Sequence, residues 1–177
     1  MNNSIYLEGI KSVRHARGWD RENTVPVAFI STVNGYHAYK RKPLPGRSFV
    51  MKCIPEPTNR FDRNAVKVVA PSIGDIVPDI INMETRSYPN QQYVHQILDQ
   101  AIGHVPKFIC NILSHSISVH RTLRRHAICV YMGEMVQDQG PKFKVIYLLE
   151  YEPNVSLLTI ADHMRMTNCI ASDDFYC

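Results

Sequence analysis

Apolar residues recur in short bursts along this chain, and most bursts alternate with polar positions at a period of two, the spacing of a strand with one buried face. The segment TVPVAFISTVNG is rich in Val, Ile, Phe and Thr and closes on Asn-Gly, so it predicts a first core strand over Val25 to Val33 ending in a turn. RSFVMKCI alternates as a second strand and runs into the turn-rich PEPTN. NAVKVVA sets Ala65 or Val66 against Lys67 and predicts a third strand, stopped by Pro71. HAICVYMG and KFKVIYLLEY are separated by EMVQDQGP, whose Gly140 and Pro141 make a hairpin the economical reading, with the core ending near Tyr151.

One segment carries a strong helical period. QAIGHVPKFICNILSHSISV begins as a short apolar strand to Val105. Pro106 then stands at a first helical position, where its missing donor costs little, and Phe108, Ile109, Ile112, Leu113 and Ile117 recur at helical spacing. Residues 1–24 show no sustained period and are read as a leader whose order the sequence leaves open. Residues 71–97 carry three prolines without strand alternation and read as a long insertion, with a short helix expected after Pro89. Residues 152–177 form a tail with one apolar patch, enough for a short helix, and an acidic end. Strands flanking a single strong helix predict a mainly β fold with α, that is α+β: a small barrel or strongly bent sheet with one or two packed helices, in a domain spanning 25–151.

Composition narrows the class without naming a function. The 177 residues are 45% apolar and 20% charged, ordinary globular values for one domain, and long enough to bury a core without staples. A net charge of +4 permits a polyanionic partner and does not require one. Five cysteines form an odd set with no CxxC pair, which favours a reduced intracellular protein. No run of ~18 apolar residues is present to span a bilayer, so no membrane is expected. KRK at 40–42 and RTLRRH at 121–126 are too short or interrupted to serve as import signals, and nuclear and cytoplasmic locations both stay open.

Most catalytic chemistries lack their residues. Cys110, His115 and His120 are spaced by five, which misses the i, i+4 face that two helical histidines need, so no metal site is expected. Each cysteine lies in an apolar run or in the tail, away from a base. There is no GxxxxGK[ST], GxGxxG or HExxH. Asp75, Asp79 and Glu84 fall in the insertion without a nuclease motif. No enzyme, catalytic residue or cofactor is expected.

What remains is a set of basic and aromatic residues at strand ends: Tyr36, His37, Tyr39 and Lys40 to Lys42 in one loop, Arg60, Phe61 and Arg63 in the next, and His104 and Lys107 at the helix start. Lysine and arginine neutralise phosphates, aromatic faces stack on bases, and a helix start offers unpaired donors, so the set suits a nucleic-acid strand. For the 36–42 loop, a binding surface and a solvated charged rim fit equally well. Asp62 sits between Arg60 and Arg63 at the junction of turn and strand, where Asn59, Asp62 and Asn64 can each bond local backbone and shape the turn.

The order VNGYHAYK, a strand, EPTNRFDRNAVKV, then IGHVPK opening a helix resembles the HIRAN domain, found in several DNA-repair helicases and in stand-alone proteins. The family pattern, roughly E-P-x-N-x-[YF]-D-x-N-A-[VI]-x-V followed by [IV]-G-[HY]-[VIL], is met by Glu56, Pro57, Asn59, Phe61, Asp62, Asn64, Ala65, Val66 and Val68, then Gly103, His104 and Val105. The match covers about Val25 to Val119. The resemblance implies an OB-like barrel that captures the 3′ end of single-stranded DNA, with Asp62 accepting a hydrogen bond from the terminal hydroxyl. By the same resemblance Phe61, Tyr36 and Tyr39 form stacking walls, and His104 and Lys107 hold a backbone phosphate.

The chain departs from the pattern at three places. His37 and Ala38 stand where the helicase member has an arginine-tyrosine pair, Phe61 replaces a tyrosine, and the 71–97 insertion precedes the phosphate contacts. The helicase motor and RING segments are missing, so the expectation is a nucleic-acid-binding module for single-stranded DNA with the sites Tyr36, His37, Tyr39, Lys40, Arg60, Phe61, Asp62, His104 and Lys107. The competing class is a protein-interaction or regulatory domain that uses the same scaffold, since fold does not determine function.

Overall fold

A computed structural model of the protein describes residues 3–18, 25–107, 109–110, 113, 127–137, 139–151 and 169–170. The strands are β1 (Val25–Val33), β2 (Phe49–Pro55), β3 (Val66–Val69), β4 (Glu84–Arg86), β5 (Gln92–Tyr93), β6 (Ala101–His104), β7 (Ala127–Gln137), β8 (Pro141–Tyr151) and β9 (Cys169–Ile170). Two α-helices accompany them, α1 (Asn3–Ala16) and the single turn α2 (Tyr36–Tyr39). Residues 107, 109, 110 and 113 are helical, as the period after Pro106 predicts. Phe108, Ile112 and Ile117, and the short helix expected in the tail, lie outside the described residues.

The main sheet runs β6-β3-β2-β7-β8-β1-β9 with every pair antiparallel. Six of its strands curl until the edges meet: Asn34, just past β1, bridges His104 at the end of β6. Each donates its N–H to the other's carbonyl at 2.8 Å. The contact demands Gly103. A Cβ there would lie 2.2 Å from the Asn34 carbonyl oxygen and 2.6 Å from Val33 Cγ1. The fold is therefore mainly β, barrel-like α+β, with few helices.

Alternation explains both faces of the curl. Phe49, Met51 and Cys53 of β2, Val66 and Val68 of β3, and Tyr131, Val145 and Tyr147 of the β7–β8 hairpin point to the interior and are buried. The residues between them, Ile128, Val130, Ile146 and Leu148, are buried too, on the outer face beneath Ile10 and Val13 of α1. A hairpin covered on both faces reads as a continuous apolar run, as VIYLL does. The leader thus contributes a helix where the sequence offered no clear period.

The 71–97 insertion is part of the body. It contains 3₁₀ turns at Ile73–Asp75, Pro78–Ile80 and Val94–Gln96, the last standing where a helix after Pro89 was expected, and the small hairpin β4–β5. Ile80, Val94 and Ile97 bury themselves in the interior core. Lys52 of β2 ties its start down, pairing with Asp75 at 3.4 Å and Asp99 at 3.7 Å and donating to Ser72 Oγ.

Candidate nucleic-acid interface

The strand ends that meet at the seam bring together residues far apart in sequence. Gly35, at φ 87°, turns the chain out of β1 into α2, and Lys40 closes that turn at φ 53°, donating its N–H to the Tyr36 carbonyl at 2.7 Å. One turn of helix carries Tyr39 over the seam, where its ring lies 5.6 Å from that of His104 and its hydroxyl 3.3 Å from His104 Nδ1. On the other side of the imidazole, Nε2 is 2.7 Å from Glu56 Oε2. Glu56 Oε1 pairs with Lys67 at 3.5 Å, the β3 residue directly opposite His104.

The electrostatics follow from that chain of contacts. Partial burial alone would push the Glu56 carboxyl up. Hydrogen bonds from His104 and Asn59 and the charges of His104 and Lys67 outweigh burial and bring it below its ordinary value. Burial, then the Glu56 carboxylate, pushes the Tyr39 hydroxyl above its usual value, against the opposing charge of Arg41. Tyr39 is therefore a neutral hydrogen-bonding group at physiological pH.

Glu56 is also the root of the turn that carries Asp62. Asn59 Nδ2 donates to Glu56 Oε2 at 3.3 Å, while Asn59 Oδ1 accepts from the backbone N–H groups of Phe61 and Asp62 at 3.0 and 3.2 Å. Asp62 Oδ1 accepts from the Asn64 N–H at 2.8 Å, and the Asp62 carbonyl from the Ala65 N–H at 3.0 Å. The turn-forming role read from the sequence is present, and the side chains that brace the turn also fix its tip. There Phe61 is 99% exposed, flanked by exposed Arg60 and Arg63. Among the described residues no ion pair joins Asp62 to either arginine. The Asp62 carboxylate lies close enough to the helix after Pro106 to reinforce the upward shift that burial gives the Cys110 thiol. Lys107, at the start of that helix, is exposed.

The expected site residues therefore divide. Tyr39 and His104 touch, and the turn with Arg60, Phe61 and Asp62 joins them through Asn59 and Glu56. Both ring nitrogens of His104 already face protein groups, Tyr39 and Glu56, while Lys107 is exposed. Tyr36 sits apart: its ring meets the Phe143 edge at 5.2 Å, and the Arg86 guanidinium lies 5.5 Å over it and donates to its hydroxyl at 2.6 Å. His37 is exposed beside Tyr36, with ring centroids 5.7 Å apart, and Lys40 is exposed on the hairpin side. Sequence reasoning missed Glu56, Asn59, Lys67 and Arg86 as site residues. The first two were in the matched motif, and Lys67 was the polar position of its alternating strand; Arg86, in the insertion, had no signal.

Among the described residues no group of three or more His, Cys, Asp or Glu could hold a metal ion; His115 and His120 lie outside them. No described helix is long and apolar enough to cross a membrane. Comparison of the chain with protein-family models, curated proteins and solved structures finds no match.

Proposed function

We propose that this chain is a HIRAN-like, OB-type binding module that captures single-stranded DNA at a free 3′-hydroxyl end, with no catalysis of its own. The observation that carries the reading is the braced turn. It holds a fully exposed aromatic ring between two exposed arginines, with a carboxylate at the ring's side. An exposed Phe61 face stacks on a base, a contact of ~1–3 kcal/mol. Arg60, Arg63 and Lys107 meet phosphates. Tyr39, fixed by His104, forms a second wall, and Tyr36 supports the loop from behind.

Asp62 supplies end selectivity. Its Oδ1 is held by the Asn64 N–H, so Oδ2 receives the terminal hydroxyl. A carboxylate accepts from a hydroxyl and repels a phosphate, so a continuing or 3′-phosphorylated chain is disfavoured.

Fluorescence anisotropy with two otherwise identical oligonucleotides, one ending in a 3′-hydroxyl and one in a 3′-phosphate, tests this. The hydroxyl end is expected to bind at least about tenfold tighter, and affinity for both falls with salt. Asp62→Asn keeps the acceptor that shapes the turn and removes the charge, so it should fold normally and lose the preference. Equal affinity of the wild-type protein for the two ends would overturn the mechanism.

A further inference from the structure

The β4–β5 hairpin has no counterpart in the motif that carries the family resemblance, yet it is fastened to the loop that holds the expected basic and aromatic residues. Arg86 Nη2 donates both to the Tyr36 hydroxyl at 2.6 Å and to the Lys40 carbonyl at 3.0 Å. Gln92 Nε2 reaches the same carbonyl at 3.4 Å, and Gln92 Oε1 accepts from the Lys42 N–H at 2.9 Å. Thr85, a buried polar side chain, hydrogen-bonds both the carbonyl and the side chain of Gln92. A two-stranded hairpin is marginal by itself, so these contacts fix where its tip stands.

That tip presents Tyr88, 90% exposed. Its hairpin is bonded through Arg86 and Gln92 to a segment with three consecutive cations, Lys40, Arg41 and Lys42, of which Arg41 donates to the Ala101 carbonyl; Arg86 adds a fourth, and Glu84 is the hairpin's single carboxylate. The 36–42 segment lies between two exposed aromatics. On one side Tyr39 meets His104 and, through Glu56, the turn of Phe61; on the other Tyr36 and Lys40 hold the hairpin of Tyr88. Two aromatic platforms separated by a cationic segment match a polyanionic strand with bases spaced along it.

We infer that the β4–β5 hairpin is a second nucleic-acid contact, in which Tyr88 stacks on a base of the strand 5′ to the end held at Asp62, with the strand's backbone passing over Lys40. It extends the strand-binding reading above and rests on it. The insertion thereby lengthens the groove, and Arg86 is a positioning residue that acts through the loop it grips.

Two labelled oligothymidines ending in a 3′-hydroxyl, of about four and about twelve nucleotides, bracket the footprint of one such barrel. Tyr88→Ala should weaken the longer strand by about tenfold and leave the shorter unchanged. Its thermal melt should match the wild type because the ring is exposed. Arg86→Met, which frees the hairpin, should reproduce the loss on the longer strand. If the wild-type protein prefers a 3′-hydroxyl and Tyr88→Ala binds both lengths as the wild type does, or loses equally on both, the hairpin inference falls alone. If the wild-type protein binds neither strand, the strand-binding reading falls and takes this one with it.

Discussion

Replacing Gly103 with alanine tests whether the closed seam holds the site together. The new methyl would stand 2.2 Å from the Asn34 carbonyl oxygen, far inside van der Waals contact, and 2.6 Å from Val33 Cγ1. The valine can rotate; the carbonyl belongs to the backbone and cannot. Relief requires β6 to move away from β1, which breaks the reciprocal Asn34–His104 hydrogen bonds, both 2.8 Å. Two backbone bonds contribute about 1 kcal/mol each, and overpacking of a filled interior costs about 1–3 kcal/mol, so a loss of about 3–5 kcal/mol is expected. With a urea slope of about 2 kcal/mol/M, the unfolding midpoint should drop by about 1.5–2.5 M. Because His104 moves with β6, its contacts to Tyr39 and Glu56 loosen as well, and oligonucleotide affinity should fall while the protein is still folded. A variant within about 0.5 kcal/mol of wild type, with unchanged binding, would refute the claim that Gly103 is required by the seam.

Two further outcomes follow from the charges and thiols. The folded protein holds the Glu56 carboxyl below its ordinary value, so Glu56 contributes stability that is complete above the unfolded carboxyl pKa of about 4.3 and lost as pH falls through the folded one. Urea midpoints should show Glu56→Gln about 1 kcal/mol less stable at pH 7, with the gap closing below about pH 4; a gap that does not change with pH would remove the ion pairs from the argument. Cys53, Cys110 and Cys129 are buried and burial pushes each thiol up, so peptide mass spectrometry after native iodoacetamide treatment should find them unlabelled until urea unfolds the barrel. Rapid native labelling of Cys53 would mean that the interior opens.

The strands were legible wherever one face is wet. Val25–Val33, read from its β-branched and aromatic content and its closing Asn-Gly, coincides with its expected bounds, and β2 and β3, read from alternation, and the short apolar β6 lie within two residues of theirs. A hairpin was expected from the Gly-Pro turn, but β7 runs on to Gln137, four residues past the expected strand end at Gly133, and the connection is correspondingly shorter. The hairpin's unbroken apolar run held a second message, that something covers the outer face, and that cover is α1. Ile10 and Val13 pack against the sheet, and three basic residues among the fourteen of the helix, Lys11, Arg14 and His15, blur its period. The short strands β4 and β5 were invisible for another reason: three residues and two cannot establish a period.

The site was legible in its residues and not in its connections. Composition could group Tyr39, Phe61, Asp62 and His104, since basic and aromatic side chains at strand ends share a chemistry. It could not say that His104 would spend one nitrogen on Tyr39 and the other on Glu56, because that depends on the bridge between Asn34 and His104, residues seventy apart in the chain. Once the bridge is formed, the imidazole is locked between a neutral hydroxyl and a carboxylate. It holds Tyr39 in place, and it anchors Glu56, on which Asn59 and the Asp62 turn depend. A histidine beside a glycine thus reads as a phosphate ligand from sequence, while in three dimensions it is the joint between the 36–42 segment and the Asp62 turn. Under the proposed strand-binding reading, phosphate falls to the exposed cations that the joint does not consume: Arg60, Arg63 and Lys107 at one end, and Lys40 toward the hairpin at the other.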